Sequence, residues 1–220
     1  HAPYTYDYFS ETLRARESFS QEFRFVSNEK YKAERLPIDW VVGVSYLKLD
    51  ETNDRQDDGI YGDPNDPFSP YISLTTSKSD YSSTNISIFG NIDYEFSAFT
   101  KLSVGLRMED WSAKYSDSND ERFSPSNSMM GGKVALIHSF EDGMNIFANY
   151  AKGYKQGGFN VGLGLLDSTT SSDLEYDPEF LTNYEIGMDL SVSDKTDLRI
   201  VGFYSERTDQ QVLILSLIHI

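Results

Sequence analysis

The 220 residues read as an all-β chain, an antiparallel run of strands that forms part of a transmembrane β-barrel. Three observations predict this. Successive stretches alternate apolar and polar side chains, the period-two pattern that sends neighbouring side chains to opposite faces of a sheet. These stretches run about 10 to 13 residues, longer than the usual globular strand and close to the length that crosses a bilayer at a tilt. Short turns and long polar connections alternate along the chain, which sorts the long loops to one end of the sheet.

Composition permits this reading and excludes others. Mean hydropathy is −0.48, and no window approaches the roughly 18 apolar residues of a membrane-spanning helix. Barrel strands alternate, so they score poorly on average hydropathy. Fifteen Tyr and 14 Phe suit strands and interfacial belts. On composition alone a soluble, Tyr-rich β-sandwich is the simpler reading. Nineteen basic residues against 35 acidic ones give a net charge of −16, the wrong sign for a nucleic-acid binder. Cysteine is absent and there are three histidines, two of them the near-terminal His1 and His219. A disulfide framework, a thiolate metal site and a histidine-based catalytic centre are therefore not expected. The opening His1-Ala2-Pro3 reads as a cut from a longer chain rather than a start with a leader.

The elements follow in order. Tyr4, Tyr6 and Tyr8 alternate briefly before a polar stretch. Residues 18–27 form the first clear strand, with Phe19, Gln21, Phe23 and Phe25 on one face and Ser20, Glu22 and Arg24 on the other. Residues 40–49 form the next, with Trp40, Val42, Val44 and Tyr46 sharing a face. Residues 50–80 read as a long acidic linker, because Pro64, Pro67 and Pro70 disfavour regular structure. Residues 84–96 are the cleanest strand: Ile86, Ile88, Ile92, Tyr94 and Phe96 face one way, and Asn85, Ser87, Asn91, Asp93 and Glu95 the other. A tight turn leads to Leu102, Val104, Leu106 and Met108, with Trp111 and Tyr115 near the far end. After a polar loop at 116–128, residues 130–140 return. Glu141-Asp142-Gly143 is a hairpin turn with glycine where a positive φ is cheap. Residues 146–154 ascend, 156–177 form a long loop, 181–192 descend, 193–196 turn, and Leu198 begins the last ascent.

The long loops thus fall at one end. A sandwich has no reason to segregate loop length in this way, whereas outer-membrane barrels have short turns on one side and longer loops on the other. Aromatics gather near both strand ends. Trp40, Tyr46, Tyr94, Phe96, Trp111, Tyr150, Tyr184 and Tyr204 are the candidate membrane-interface girdle. Aromatics also favour strands for their own sake.

Two later runs carry a family likeness. Asn149-Tyr150-Ala151-Lys152-Gly153-Tyr154-Lys155-Gln156-Gly157-Gly158-Phe159-Asn160 and Tyr176-Asp177-Pro178-Glu179-Phe180-Leu181-Thr182-Asn183-Tyr184-Glu185-Ile186-Gly187 resemble the TonB-dependent outer-membrane receptor family, nearest to receptors for iron–siderophore uptake. Ser20-Gln21-Glu22-Phe23-Arg24-Phe25 and Asp39-Trp40-Val41-Val42-Gly43 look like further family strands. The resemblance implies a barrel of about 22 strands with a plugged lumen, of which this chain supplies eight, or nine counting Tyr4–Tyr8. It implies a Gram-negative outer-membrane receptor, energised through the TonB complex, that takes up ferric siderophores or another scarce ligand and sits among lipopolysaccharide and outer-membrane lipid. On this reading the plug and closing strands are absent. The apolar run at 213–220 departs from the family pattern and reads as a non-native tail. An eight-strand piece exposes two sheet edges, so it is expected to aggregate when produced alone. The alternatives are a plugless outer-membrane diffusion porin and a secreted glycan-binding β-sheet protein.

No nucleophile–base pair stands out, so an enzyme is the least supported class, and no cofactor is implied. Arg107, Lys152 and Lys155 are candidates to meet an anionic ligand, with Tyr154, Phe159 and Asn160 beside them at the loop end. Lysine and arginine also belong near lipid headgroups. Asp54, Asp57, Asp58 and Asp63 offer clustered carboxylates to Ca²⁺, but their spacing is not that of an EF-hand, and a solvated acidic loop accounts for them too. His138 shares the register of Leu136 and Phe140 and reads as a packed histidine. Gly157-Gly158 lacks the attached Lys-Ser/Thr of a phosphate loop, and its plain role is flexibility at a strand end.

Overall fold

Eight long strands follow one another as an antiparallel meander. The computed structural model describes residues 5–28, 37–63, 66–141, 143–160, 174–193 and 195–212. Strands β1 (Thr5–Val26), β2 (Ile38–Asp63), β3 (Asp66–Ser97) and β4 (Thr100–Asp117) come first. A two-residue β5 (Arg122–Phe123) pairs back onto β4, and β6 (Ser126–Ser139) and β7 (Asn145–Lys155) follow. The short β8 (Gly158–Phe159) and β9 (Glu175–Tyr176) pair with each other at the neck of the long loop, before β10 (Glu179–Ser193) and β11 (Thr196–Thr208). The order in the sheet is β1-β2-β3-β4-β6-β7-β10-β11. Each long strand pairs with its successor, and β1 and β11 are the two edges among the described residues.

The alternation expected on each strand merges into one continuous face. Phe23 on β1 opposes Val44, which opposes Ile88, Met108 and Met130 on the next strands. Ile88 is 53% exposed and Ile200, near the other edge, 52%. No large side chain among the described residues is fully buried, because a single-layer sheet has nothing to pack on its apolar side. An apolar face of this extent is too large for a monomeric surface in water; it is the outer surface of a barrel wall.

The band is inclined to the hydrogen-bonded rows. One row runs Trp40, Ile92, Val104, Val134, Tyr150, Tyr184, Tyr204. It begins at the turn end of the band on β2 and finishes at the loop end on β11; on β2 itself the loop-end aromatic is Tyr46. At ordinary strand rise and spacing the band climbs about 20 Å over about 29 Å of sheet, an inclination of about 35°, which is the tilt of barrel strands. With that tilt, the Ile86–Phe96 run spans about 27 Å, against roughly 25 Å for the apolar band of an outer-membrane barrel.

Aromatic pairs border the band. Tyr94 meets Phe96 edge-on at 4.6 Å and His138 meets Phe140 at 4.5 Å at the turn end. Tyr150, Tyr184 and Tyr204 form a row at 5.2 and 6.3 Å on the loop side. The His138 Nδ1 also lies 2.8 Å from Thr100 Oγ1, so this histidine is packed and bonded. Gly143 takes a φ of 83° in its turn.

Two expectations need correction. Residues 50–80 are not a linker: β2 and β3 continue through them as a hairpin, paired without interruption from Ile38↔Tyr94 to Tyr61↔Tyr71. Pro67 and Pro70 fall between the Asp63↔Asp66 and Tyr61↔Tyr71 pairs, where the register shifts and no ladder bond to β2 is required of them. The Tyr4–Tyr8 segment is not a ninth strand, because β1 is one strand from Thr5 and pairs along its whole length with β2. The 213–220 run lies outside the described residues.

Candidate functional site

The opposite face of the sheet is polar, and its loop end carries the candidate site. Here the register brings together residues from four strands and two loops. Phe89 lies between two arginines, with the Arg24 and Arg107 Cζ atoms 5.7 and 5.8 Å from its ring centre, a cation–π arrangement on both sides. Arg107 donates to Glu109 Oε2 from Nε at 3.0 Å and from Nη2 at 2.7 Å. The Tyr154 hydroxyl donates to the same oxygen at 3.2 Å. Burial raises the Tyr154 pKa above its ordinary value, and the Glu109 charge raises it further, so its proton stays in place.

Tyr154 reaches this face because β7 changes phase. Exposure alternates regularly from Asn145, then repeats at Ala151–Lys152. Tyr150 therefore joins the outer row while Tyr154, four residues on, turns inward. Gly131 makes room for it: a Cβ there would stand 2.7 Å from the Lys152 carbonyl oxygen and 3.0 Å from the Tyr154 ring.

Beyond this network the loops build an aromatic floor. Phe159 from β8 stacks on Phe123 from β5 at 4.9 Å and 10°. Tyr115 lies 5.3 Å and Tyr81 6.1 Å from the same ring. Beneath them Trp111, Ala113 and Met129 form a small buried cluster among the described residues. Burial, then the Asp117 charge, raises the Tyr115 pKa. Offset and tilted rings at these separations add stability beyond their buried area.

The sequence-expected candidates divide. Arg107, Tyr154 and Phe159 come together on the polar face. Lys152 instead places its Nζ 4.7 Å from the Phe180 ring centre. Asn160 closes the loop neck, its backbone N–H and side-chain amide both donating to the Leu174 carbonyl at 2.9 and 3.5 Å. Lys155 stands at the same neck, beside Asp177 and Gln211. Gln211 donates from Nε2 to the carbonyls of Gln156 and Asp177 at 2.9 and 3.1 Å. Gly157-Gly158 is there for close approach, not flexibility: a Cβ on Gly158 would meet the Tyr176 hydroxyl at 2.5 Å and its ring at 2.7 Å, and one on Gly157 the Tyr176 carbonyl at 2.4 Å.

Trp111 is a correction. It is 4% exposed and packed on the polar side, in the register of Arg107 and Glu109, so it does not stand in an outer interfacial girdle. Trp40, Tyr46, Tyr94, Phe96, Tyr150, Tyr184 and Tyr204 lie in the register of the apolar face. Three of the Ca²⁺ candidates, Asp54, Asp57 and Asp58, do not converge either, and the side chain of the fourth, Asp63, is not among those described. Alternation sends Asp54 and Asp58 to one face and Asp57 to the other. Asp54 pairs with Lys78 at 2.8 Å and Asp57 with Arg55 at 2.9 Å, while Asp58 accepts from Gln56 at 3.1 Å. No metal-binding cluster occurs among the described residues. Glu109, Tyr81, Tyr115 and Phe123 belong to the site and were not singled out by sequence. Glu109 was readable from its shared register with Arg107, whereas Phe123 sits in a loop and carries no periodic signal.

Comparison with known proteins agrees with the fold. The chain superposes on the ferric yersiniabactin uptake receptor FyuA from Yersinia pestis with a TM-score of 0.66 at 17% identity, covering 93% of this chain and 30% of that one. For the copper transporter OprC the TM-score is 0.60 at 15% identity, with coverages of 89% and 30%. For the ferric-catecholate import receptor Fiu from Escherichia coli K12 it is 0.57 at 14%, with 90% and 32%. The chain therefore spans about a third of the length of these receptors. No curated protein sequence matches it. The model of the TonB dependent receptor-like β-barrel matches residues 1–218. Eight tilted strands, a banded apolar face and this match agree: the chain belongs to the TonB-dependent receptor family and is a segment of its β-barrel.

Proposed function

We propose that this segment is part of the wall of a Gram-negative outer-membrane receptor that imports ferric chelates of the siderophore type, energised through the TonB complex. The apolar band faces outer-membrane lipid, with lipopolysaccharide in the outer leaflet, and the polar face lines the path of the ligand. In this reading a plug and further strands complete the receptor and carry the contact with TonB. The observation that carries the reading is the family match over residues 1–218. The polar face supports it by setting Arg107, Glu109 and Tyr154 below an aromatic floor, a surface suited to an anionic, partly aromatic ligand. FyuA and Fiu, which share the fold, are receptors for ferric yersiniabactin and ferric catecholates.

The test is uptake of radioactive iron, presented as chelates of different charge, into cells carrying the full-length gene, with and without a functional TonB. Accumulation at least tenfold over vector controls, lost without TonB, is the expected result. Influx that persists without TonB and scales with external concentration would identify a diffusion pore instead.

A further inference from the structure

Above the band, on the polar face, three arginines gather in a chain of net charge −16. Arg14 and Arg16 on β1 and Arg55 on β2 share this face with Arg24, because the β1–β2 register is unbroken from Val26↔Val41 to Thr5↔Gly62. Arg16 Nε donates to Glu51 Oε2 at 2.7 Å. Arg14 Nε donates to Asn53 Oδ1 at 2.8 Å and stands 3.4 Å from Glu51 Oε1, so two guanidiniums share one carboxylate. Arg55 Nε donates to Asp57 Oδ1 at 3.0 Å, and its Nη2 reaches the Tyr8 hydroxyl at 3.4 Å. The Tyr8 hydroxyl in turn donates to Asp57 at 2.8 Å. Three cations thus face two carboxylates.

Each guanidinium carries five N–H donors in a planar fork. The bonds described engage Arg14 through its Nε. Arg14 and Arg55 are 58% and 50% exposed at the side chain. The acidic partners fix the arginines in place without neutralising them as a group. In the next row, Tyr81 lies opposite Glu51 and leads directly to the aromatic floor through Phe159.

We propose that Arg14, Arg16 and Arg55 form an outer capture site for an oxyanion-rich ligand, a soluble chelate with free carboxylates, placed ahead of the aromatic floor. The inference rests on the proposed transport function and names the ligand class of that path. A lipid headgroup would meet the opposite face of these strands, where Lys78 is already paired with Asp54.

The test titrates the full-length receptor with two probes, anionic ferric citrate and a neutral ferric trihydroxamate, at low and high salt. The variants are Arg14→Gln/Arg55→Gln and the charge-conserving Arg14→Lys/Arg55→Lys. Wild type is expected to bind the anionic probe more tightly, and less so at high salt. The glutamine pair should weaken that binding about tenfold, the loss of roughly one charge-assisted hydrogen bond, and leave the neutral probe unchanged. The lysine pair should fall between the two, since lysine keeps the charge and loses the fork. Equal loss for both probes, no loss for the anionic one, or a wild type that binds only the neutral probe overturns the capture site and leaves the transport reading standing. A wild type that binds neither probe also overturns the capture site, while the transport reading stands or falls on TonB-dependent uptake.

Discussion

The same three strands behave as two different structures along their length. Toward their turn end, β1, β2 and β3 carry one apolar and one polar face; beyond the level of Asp50, toward the β2–β3 hairpin, both faces carry charged and polar residues, and the apolar Phe9, Leu13, Ile60, Ile72 and Leu74 are interspersed with Asp54, Asp58 and Lys78. In the lower region Phe23, Val44 and Ile88 sit side by side, and a slip of one residue would turn the apolar set inward. In the upper region that penalty is gone. Register there is carried by the backbone ladder and by cross-strand polar pairs such as Arg16 with Glu51 and Lys78 with Asp54. The contrast teaches that no protein core sets the pattern in the lower region, where the proposed function puts lipid in its place, and that the upper region is a sheet held without either.

The sharpest way to break this contrast is to place the same charge on the same face in both regions. Ile88→Arg at mid-band should cost about 2–4 kcal/mol, the depth-dependent penalty for a cation on the lipid face. Thr76→Arg, twelve residues back along β3 on that face and exposed, should stay within about 0.5 kcal/mol, as surface substitutions do. Equilibrium unfolding of the full-length receptor in lipid reads both. Equal costs would mean that the band does not meet lipid.

A smaller effect should come from acid in the upper region. The Arg16 hydrogen bond holds the Glu51 carboxyl below its ordinary value of 4.5. Ser10, then Tyr8, hold Asp57 below 3.8. Depressed carboxylates stabilise the folded state fully above their unfolded pKa, and that contribution is lost as pH falls through the folded one. Hydrogen exchange, corrected for intrinsic rate, should therefore show residues 50–57 losing protection as pH drops below about 4.5, while residues 84–92 keep theirs. Simultaneous loss in both regions would make the sheet a single cooperative unit.

The difference between the regions also explains what could be read from the sequence. The strands of the band were legible because one apolar and one polar face enforce alternation. The tilt was not, since it lives in the pairing that sets Trp40 and Tyr204 in one row. Residues 50–80 read as a loop because acidic residues and prolines mean loop in a water-soluble context, and a strand with two wet faces has no hydrophobic period to oppose that inference. At the site, Arg107, Tyr154 and Phe159 were legible as polar-register or strand-end residues. The position of Trp111 misled because nearness to a strand end was weighed above its register with Glu109. The partners of Phe159 were invisible, because Phe123 is brought to it by loop geometry alone.

The smallest effect tests what holds the upper sheet. Lys78 and Asp54 lie directly opposite on β3 and β2 with Nζ and Oδ2 at 2.8 Å, but their side chains are 72% and 49% exposed. An exposed pair of this kind contributes little, since its attraction is screened and two long side chains must be ordered. Lys78→Met keeps the aliphatic stem and removes the charge. It should change the opening of residues 74–82 by hydrogen exchange about twofold or less, and the change should vanish at high salt. The ladder bonds on either side remain intact in that variant, and in a sheet without a core they are the cooperative element. If the substitution instead released the whole hairpin beyond residue 50, ion pairs rather than the backbone ladder would hold it, and the two regions would differ in the forces that stabilise them as well as in their solvent.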